Sequence, residues 1–171
     1  MKKTKIFASA LWLLLLSSCT GGMAKKAGGN ITGSENNAIT FKVNGNTIKT
    51  DGWNISRLNT GQGLNLNITT NMHSDKRTVM VNLRGCSPGT YSLDADASGE
   101  LSGYGDYKPN YNDMLKSYRF EQGRFTIESI DTAKGLLNAS FFGTVRSGDV
   151  VMQITDGRIV NGALDKTVPT Y

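Results

Sequence analysis

A polar segment near the middle of the chain carries the residues best suited to metal chemistry. Asp94, Asp96 and Ser98 place side-chain oxygens at the first, third and fifth positions of a calcium-loop pattern, and Asp106 offers a further oxygen ligand. Gly99 supplies the turn that such loops need at their sixth position. The twelfth position, where calcium loops carry a bidentate Glu, holds Gly105. The pattern therefore predicts either an incomplete calcium site or a polar, turn-rich loop with no cofactor.

Aromatic residues cluster in the same segment. Three tyrosines, Tyr104, Tyr107 and Tyr111, lie within residues 94–118, which the sequence predicts to be an irregular loop. A tyrosine ring offers a large contact area and a hydroxyl group at low entropic cost, which suits sugar stacking or protein contact. We therefore expect these tyrosines to bind a glycan or an envelope protein, with a packed loop as the alternative. A surface loop shortens at little cost, so deletion of residues 97–112 is expected to leave the fold intact.

Nucleophilic catalysis has one candidate, the string GCSPG at residues 85–89, which matches the G-x-S-x-G pattern. That motif needs a helix after the serine and a histidine later in the chain. The one histidine, His73, precedes it, and the residues that follow it are typical of a strand. We therefore expect a turn at this position and no enzymatic activity.

The N-terminal residues predict where the protein works. Three lysines precede an apolar run of 11 residues, Ile6 to Leu16. A membrane-spanning helix needs roughly 20 apolar residues, so segment 1–18 is expected to be a signal peptide. Its last residues and the next one, Leu16-Ser17-Ser18-Cys19, resemble the bacterial lipobox. The resemblance implies cleavage before Cys19, acylation of that cysteine and stable attachment to a membrane.

Removal of segment 1–18 changes the charge of the chain. It carries three of the 19 basic residues, which leaves 16 basic and 14 acidic residues and a net charge of +2. Because no basic run remains, nucleic acid is not an expected partner. Residues 19–37 are rich in glycine and poor in apolar residues, so they are expected to form a flexible tether.

From Ala38 onward, apolar and polar residues alternate. Ile39, Phe41 and Val43 form the first such run, and Asn44-Gly45 predicts a hairpin turn after it. Nine or ten short strands at about ten-residue spacing predict an all-β fold. We expect an antiparallel β-sandwich, with an up-and-down lipocalin-like barrel as the alternative. Residues 38–171 suffice for one such core, so they are expected to form a single β domain.

The second half of the chain resembles a family of small envelope lipoproteins of Bacteroidota that has no assigned function. The similarity rests on Gly123 to Ile127, the Ile130-Asp131 turn, Leu137 to Gly143, and the closing Ile154-Thr155-Asp156-Gly157. The opening strand, Ile39 to Gly45, is also similar. The resemblance implies a β-rich lipoprotein and brings no catalytic residues. In that phylum, lipoproteins exported to the outer face usually carry an acidic stretch just after the lipidated cysteine. Residues 20–26 contain no acidic residue, which favours an outer-membrane anchor that faces the periplasm.

These observations predict a lipid-anchored binding or accessory protein of the cell envelope. Two alternatives remain open: a barrel that carries a small apolar ligand, and an immunity or inhibitor lipoprotein directed against a toxin or enzyme of the envelope. A modification is also predicted, because Asp131-Thr132-Ala133 resembles the short site that Bacteroidota use for O-glycosylation. Thr132 would carry the sugar, with a plain turn threonine as the alternative.

Overall fold

The protein is built from strands, which confirms the all-β prediction. The computed structural model describes residues 38–50, 52–61, 63–71, 76–94, 96, 98–113, 115–164 and 168–169. Its strands are β1 (Ala38–Val43), β2 (Asn46–Lys49), β3 (Gly52–Thr60), β4 (Gly63–Asn71), β5 (Thr78–Leu83), β6 (Gly89–Leu93), β7 (Ser102–Lys108), β8 (Tyr118–Asp131), β9 (Leu136–Ser147), β10 (Val150–Ala163) and β11 (Val168–Pro169). These residues include no helix that is long and apolar enough to cross a membrane.

The order of the strands requires the sheet to curl. The strands pair in the order β11-β3-β4-β5-β7-β6-β8-β9-β10-β1-β2. In a flat sheet, the nine steps of about 4.8 Å between β3 and β2 would separate them by about 43 Å. Only Thr50 and residue 51 connect these two strands in sequence, and three Cα–Cα steps span at most about 11 Å. The sheet therefore bends into a half-barrel whose two ends approach each other at this connection.

Hydrogen bonds and a small residue stabilise the place where the two ends meet. The backbone N–H and the side-chain hydroxyl of Thr50 both donate to the carbonyl of Ile39, at 2.9 and 3.0 Å. Across the interior, Ile55 of β3 packs against Gly162 of β10, where an added Cβ would lie 2.7 Å from Ile55 Cδ1. The added Cβ would also lie 2.6 Å from Ile159 Cγ2, so the glycine leaves room for both isoleucine side chains.

Hydrophobic side chains fill the inner face of the sheet. The largest fully buried side chains are Tyr91, Phe41, Phe120, Phe125, Ile39, Ile48, Ile55, Leu66, Leu83, Leu93 and Ile127. The rings of Phe125 and Phe141 stack with their centroids 5.9 Å apart, and Phe41 lies 6.0 Å from Phe141. The period-two pattern of the sequence correctly predicts the inward positions of Ile39, Phe41 and Val43, because side chains alternate between the two faces of a strand.

Glycines on three strands make room for the ring of Phe120. An added Cβ would lie 2.8 Å from the ring at Gly143 of β9, 3.0 Å at Gly123 of β8 and 3.2 Å at Gly105 of β7. Gly123 and Gly143 are also directly paired across β8 and β9. Phe120 therefore occupies the space that side chains at these positions would fill, as aromatic residues do next to glycines in curved sheets.

Candidate functional site

The predicted calcium ligands do not converge. The backbone N–H of Asp94, just after β6, donates to the carbonyl of Gly103 at 3.3 Å, whereas Asp106 lies further along β7 and opposite Arg119. Three residues of strand separate positions 103 and 106, which is about 10 Å. Among the described residues, no three His, Cys, Asp or Glu side chains group closely enough to hold a metal ion. The structure thus does not bring together Asp94, Asp96, Ser98 and Asp106.

The three tyrosines have different environments, because the predicted 94–118 loop contains a strand, β7. Tyr107 is 3% exposed, and its ring lies 6.3 Å from that of Tyr118 in the core. Tyr104 is 48% exposed on the outer face, since residues three apart on a strand point to opposite sides. Tyr111 is exposed beyond the end of β7, where its N–H donates to the carbonyl of Lys76 at 2.8 Å. The prediction of one binding site made by all three tyrosines is therefore wrong.

The GCSPG segment forms the connection between β5 and β6. The buried Tyr91 hydroxyl donates to the carbonyl of Ser87 at 2.9 Å and accepts the N–H of Ser87 at 3.1 Å. Burial raises the pKa of the Tyr91 hydroxyl, which favours the neutral form that donates this hydrogen bond. Cys86 is a free, half-buried thiol packed against the core. The segment is a turn held by Tyr91, as predicted; His73 lies outside the described residues.

Thr132 lies on an exposed turn between β8 and β9. Asp131 Oδ1 accepts the N–H groups of Lys134 and Ala133, at 2.9 and 3.1 Å. The hydrogen bond from Lys134 is the main cause of the lowered pKa of Asp131. Thr132 itself is exposed. Glycosylation of Thr132 stays a prediction, and Cys19, the predicted lipidation site, lies outside the described residues.

An exposed aromatic ring stands among polar side chains on the outer face of β6, β8, β9 and β10. Phe142 of β9 is 53% exposed. Arg124 of β8 lies directly opposite Phe142, and Ser92 of β6 lies opposite Arg124. The neighbouring row of paired residues is Gln122, Thr144 and Gln153. We define the Phe142 patch as Ser92, Asp94, Gln122, Arg124, Phe142, Thr144 and Gln153.

The side chains of the Phe142 patch surround a depression of about 430 Å³ that opens to solvent. The backbone of Gly123 and Gly143 also lines it. On its rim, Gln153 Nε2 donates to Thr144 Oγ1 at 3.1 Å. The paired glycines that accommodate Phe120 on the inner face thus present their backbone to this depression on the outer face.

A bulge in β10 opens a second depression on the other side of Phe142. The register between β9 and β10 shifts between Ile154 and Gly157. Within the bulge, Asp156 has a φ of 52°, a left-handed conformation that Asp tolerates better than most residues, and its carboxylate lies 2.9 Å from Lys42 Nζ. The depression measures about 400 Å³ and is lined by Ser140, Phe141, Phe142, Thr155, Asp156, Gly157 and Arg158. Phe142 thus forms a ridge between two depressions.

This combination of groups suits the binding of a polyhydroxylated ligand. An exposed aromatic face packs against the C–H face of a sugar ring, and the amide and hydroxyl groups around it can both donate and accept hydrogen bonds. Gln122, Gln153 and Thr144 supply such groups on one side of Phe142, and Ser140 and Thr155 supply hydroxyls on the other.

Sequence reasoning missed Phe142, although the signal was present. The alternation Leu137, Ala139, Phe141 assigns Phe141 to the core, so the adjacent Phe142 must point outward. Asp156-Gly157 within a strand is likewise a signal for a bulge. Arg124 and Phe142 lie 18 residues apart on the β8–β9 hairpin, and they face each other because the register shifts between Ile127 and Ser129, a shift that had no local signal.

Comparisons with protein-family models, curated proteins and solved structures gave no match for the chain.

Proposed function

We propose that this protein is a non-enzymatic, lipid-anchored binding protein of the cell envelope that holds a glycan on the Phe142 patch. The observation that carries the proposal is the exposed Phe142 ring between two depressions lined by hydroxyl, amide and guanidinium groups. The anchor at Cys19 and the position at the outer membrane, facing the periplasm, belong to the proposal and derive from the sequence.

The packing of the interior favours a surface site over an internal one. Aromatic and aliphatic side chains fill the inner face, where the ring of Phe141 packs against those of Phe41 and Phe125. A carrier for a small apolar ligand needs an enclosed cavity of several hundred Å³. The depressions at Phe142 lie on the outer face and have polar groups around the ring, which matches a sugar better than an apolar carrier ligand.

The test compares two equally exposed aromatic residues. Full-length wild-type protein, Phe142→Ala and Tyr104→Ala would be titrated against a panel of soluble neutral and acidic polysaccharides, with affinity measured by calorimetry. Removal of the Phe142 ring is expected to weaken binding at least about tenfold, which corresponds to about 1.4 kcal/mol. Tyr104→Ala should bind as wild type does.

Thermal melting of all three proteins controls for folding. Exposed side chains contribute little to stability, so both variants should melt close to the wild-type temperature. The proposal fails if no polysaccharide binds to the wild-type protein, or if Tyr104→Ala loses as much affinity as Phe142→Ala.

A further inference from the structure

The cations around Phe142 differ in whether they have an acidic partner. Lys42 pairs with Asp156, Arg158 with Glu128 at 3.9 Å, and Arg146 with Glu121. Arg124 is exposed, and within the described part of the chain no carboxylate lies within 4.0 Å of its guanidinium. A charge left unneutralised beside an open depression is available to a ligand.

The position of Arg124 directs this charge toward Phe142. The two residues are directly paired across β8 and β9, so their side chains emerge next to each other on the same face. Asp94, which also lines the depression, follows β6 on the opposite side of Arg124. Asp94 repels an anion, so a negatively charged group would approach Arg124 from the side of Phe142.

We infer that the Phe142 patch selects an acidic glycan, with Arg124 binding the carboxylate of a uronic acid residue whose ring packs on Phe142. This inference rests on the proposed function and names its ligand class. A guanidinium presents two parallel N–H donors that match the two oxygens of a carboxylate, a geometry that a lysine ammonium does not reproduce. Gln122, Thr144 and Gln153 then remain for the sugar hydroxyls on the same side of the ring.

The experiment uses pairs of polymers that differ only in charge. Polygalacturonate, alginate and hyaluronan would each be compared with the same polymer after methyl esterification of its carboxylates. Full-length wild-type protein is expected to bind at least one acidic polymer at least tenfold more tightly than its ester. Arg124→Gln should bind the acid and the ester alike, and Arg124→Lys should retain only part of the preference.

Arg158→Gln is the matched control, because Arg158 lines the other depression but already pairs with Glu128. It should keep the wild-type preference for the acid. If Arg158→Gln loses as much of the preference for the acid as Arg124→Gln does, the role given to Arg124 is overturned. The net charge of the face would then determine the preference, and not the position of Arg124.

The outcomes also separate this inference from the proposed function. If wild-type protein binds acids and esters equally and Phe142→Ala abolishes both, the acidic preference is wrong and glycan binding at the Phe142 patch stands. If no polymer, neutral or acidic, shows binding that depends on Phe142, both fail. A preference for the acid that Arg124→Gln removes and Arg158→Gln retains would support the inference.

Discussion

Two parts of the outer face carry an exposed aromatic residue among polar side chains, yet their surroundings differ. On one side, paired residues across β3, β4, β5 and β7 form a row that we name the Tyr104 patch: Ser56, Asn67, Asn82 and Tyr104. On the other side is the Phe142 patch. The two rings are 48% and 53% exposed, so exposure alone does not distinguish them.

The difference lies in the backbone and in how exposed the polar groups are. β3, β4, β5 and β7 pair in unbroken register. Each patch contains two polar side chains that hydrogen-bond each other, but the Asn67–Asn82 pair is partly buried whereas the Thr144–Gln153 pair is exposed. Beside Phe142, β10 bulges at Asp156 and opens a depression. None of the three depressions described in the structure is lined by Tyr104. An exposed aromatic residue thus becomes a candidate site where the sheet is irregular and its polar neighbours are exposed to solvent.

The largest expected effect separates the two tyrosines of β7. Tyr107→Ala removes a buried ring and should reduce the free energy of unfolding by about 3–5 kcal/mol, as large-to-small changes in a core do. Tyr104→Ala should change it by less than about 0.5 kcal/mol. Urea denaturation followed by circular dichroism would measure both. Equal effects would mean that Tyr104 is also a packing residue and would remove it as a control for Phe142.

A smaller effect concerns the glycines whose backbone lies beneath the Phe142 patch. A Cβ at Gly143 would lie 2.5 Å from the carbonyl oxygen of Gln122, so Gly143→Ala should destabilise the protein by about 1–3 kcal/mol. Gly61→Ala is the control, because no atom lies within 4 Å of its added Cβ. Thermal melting would compare the two. A Gly143→Ala protein as stable as Gly61→Ala would show that the sheet accommodates a side chain at this position.

The smallest effect concerns the amide pair of the Tyr104 patch. A double-mutant cycle of Asn67→Ala and Asn82→Ala should give a coupling free energy of about 1 kcal/mol, typical of a partly buried hydrogen bond. The same cycle with Thr144→Ala and Gln153→Ala, an exposed pair, should give a coupling near zero. If the Thr144–Gln153 coupling is the larger one, these groups are engaged with each other, and their availability to a ligand is in doubt.

One earlier expectation is reversed by the strand β7. Deletion of residues 97–112 was expected to leave the fold intact because the segment was predicted to be a loop. The deletion removes all of Ser102–Lys108, which pairs with β5, β6 and β8, and removes the buried Tyr107. β7 escaped detection because its inner face reads Gly103, Gly105, Tyr107, and two glycines conceal the apolar alternation by which a strand is recognised.

The sequence by itself determined the all-β class and most of the core. Alternation of apolar residues depends only on the geometry of a single strand, so it identified Phe41, Phe125 and Phe141 as inward residues without any knowledge of pairing. Turn residues were equally local: Asn44 and Gly45 have φ values of 48° and 81°, as the predicted hairpin turn requires.

Only the tertiary structure decided which residues meet. The curl of the sheet follows from the strand order. β2 pairs with β1 near one end of the sheet and β3 pairs with β4 near the other, so the two-residue connection between β2 and β3 forces the sheet to bend. Likewise, Arg124 and Phe142 become neighbours through the register of β8 and β9, and the bulge at Asp156 then uncovers the ring. The turn between β8 and β9 pairs these strands locally, but the register shift between Ile127 and Ser129 and the bulge in β10 depend on side chains packing across the sheet.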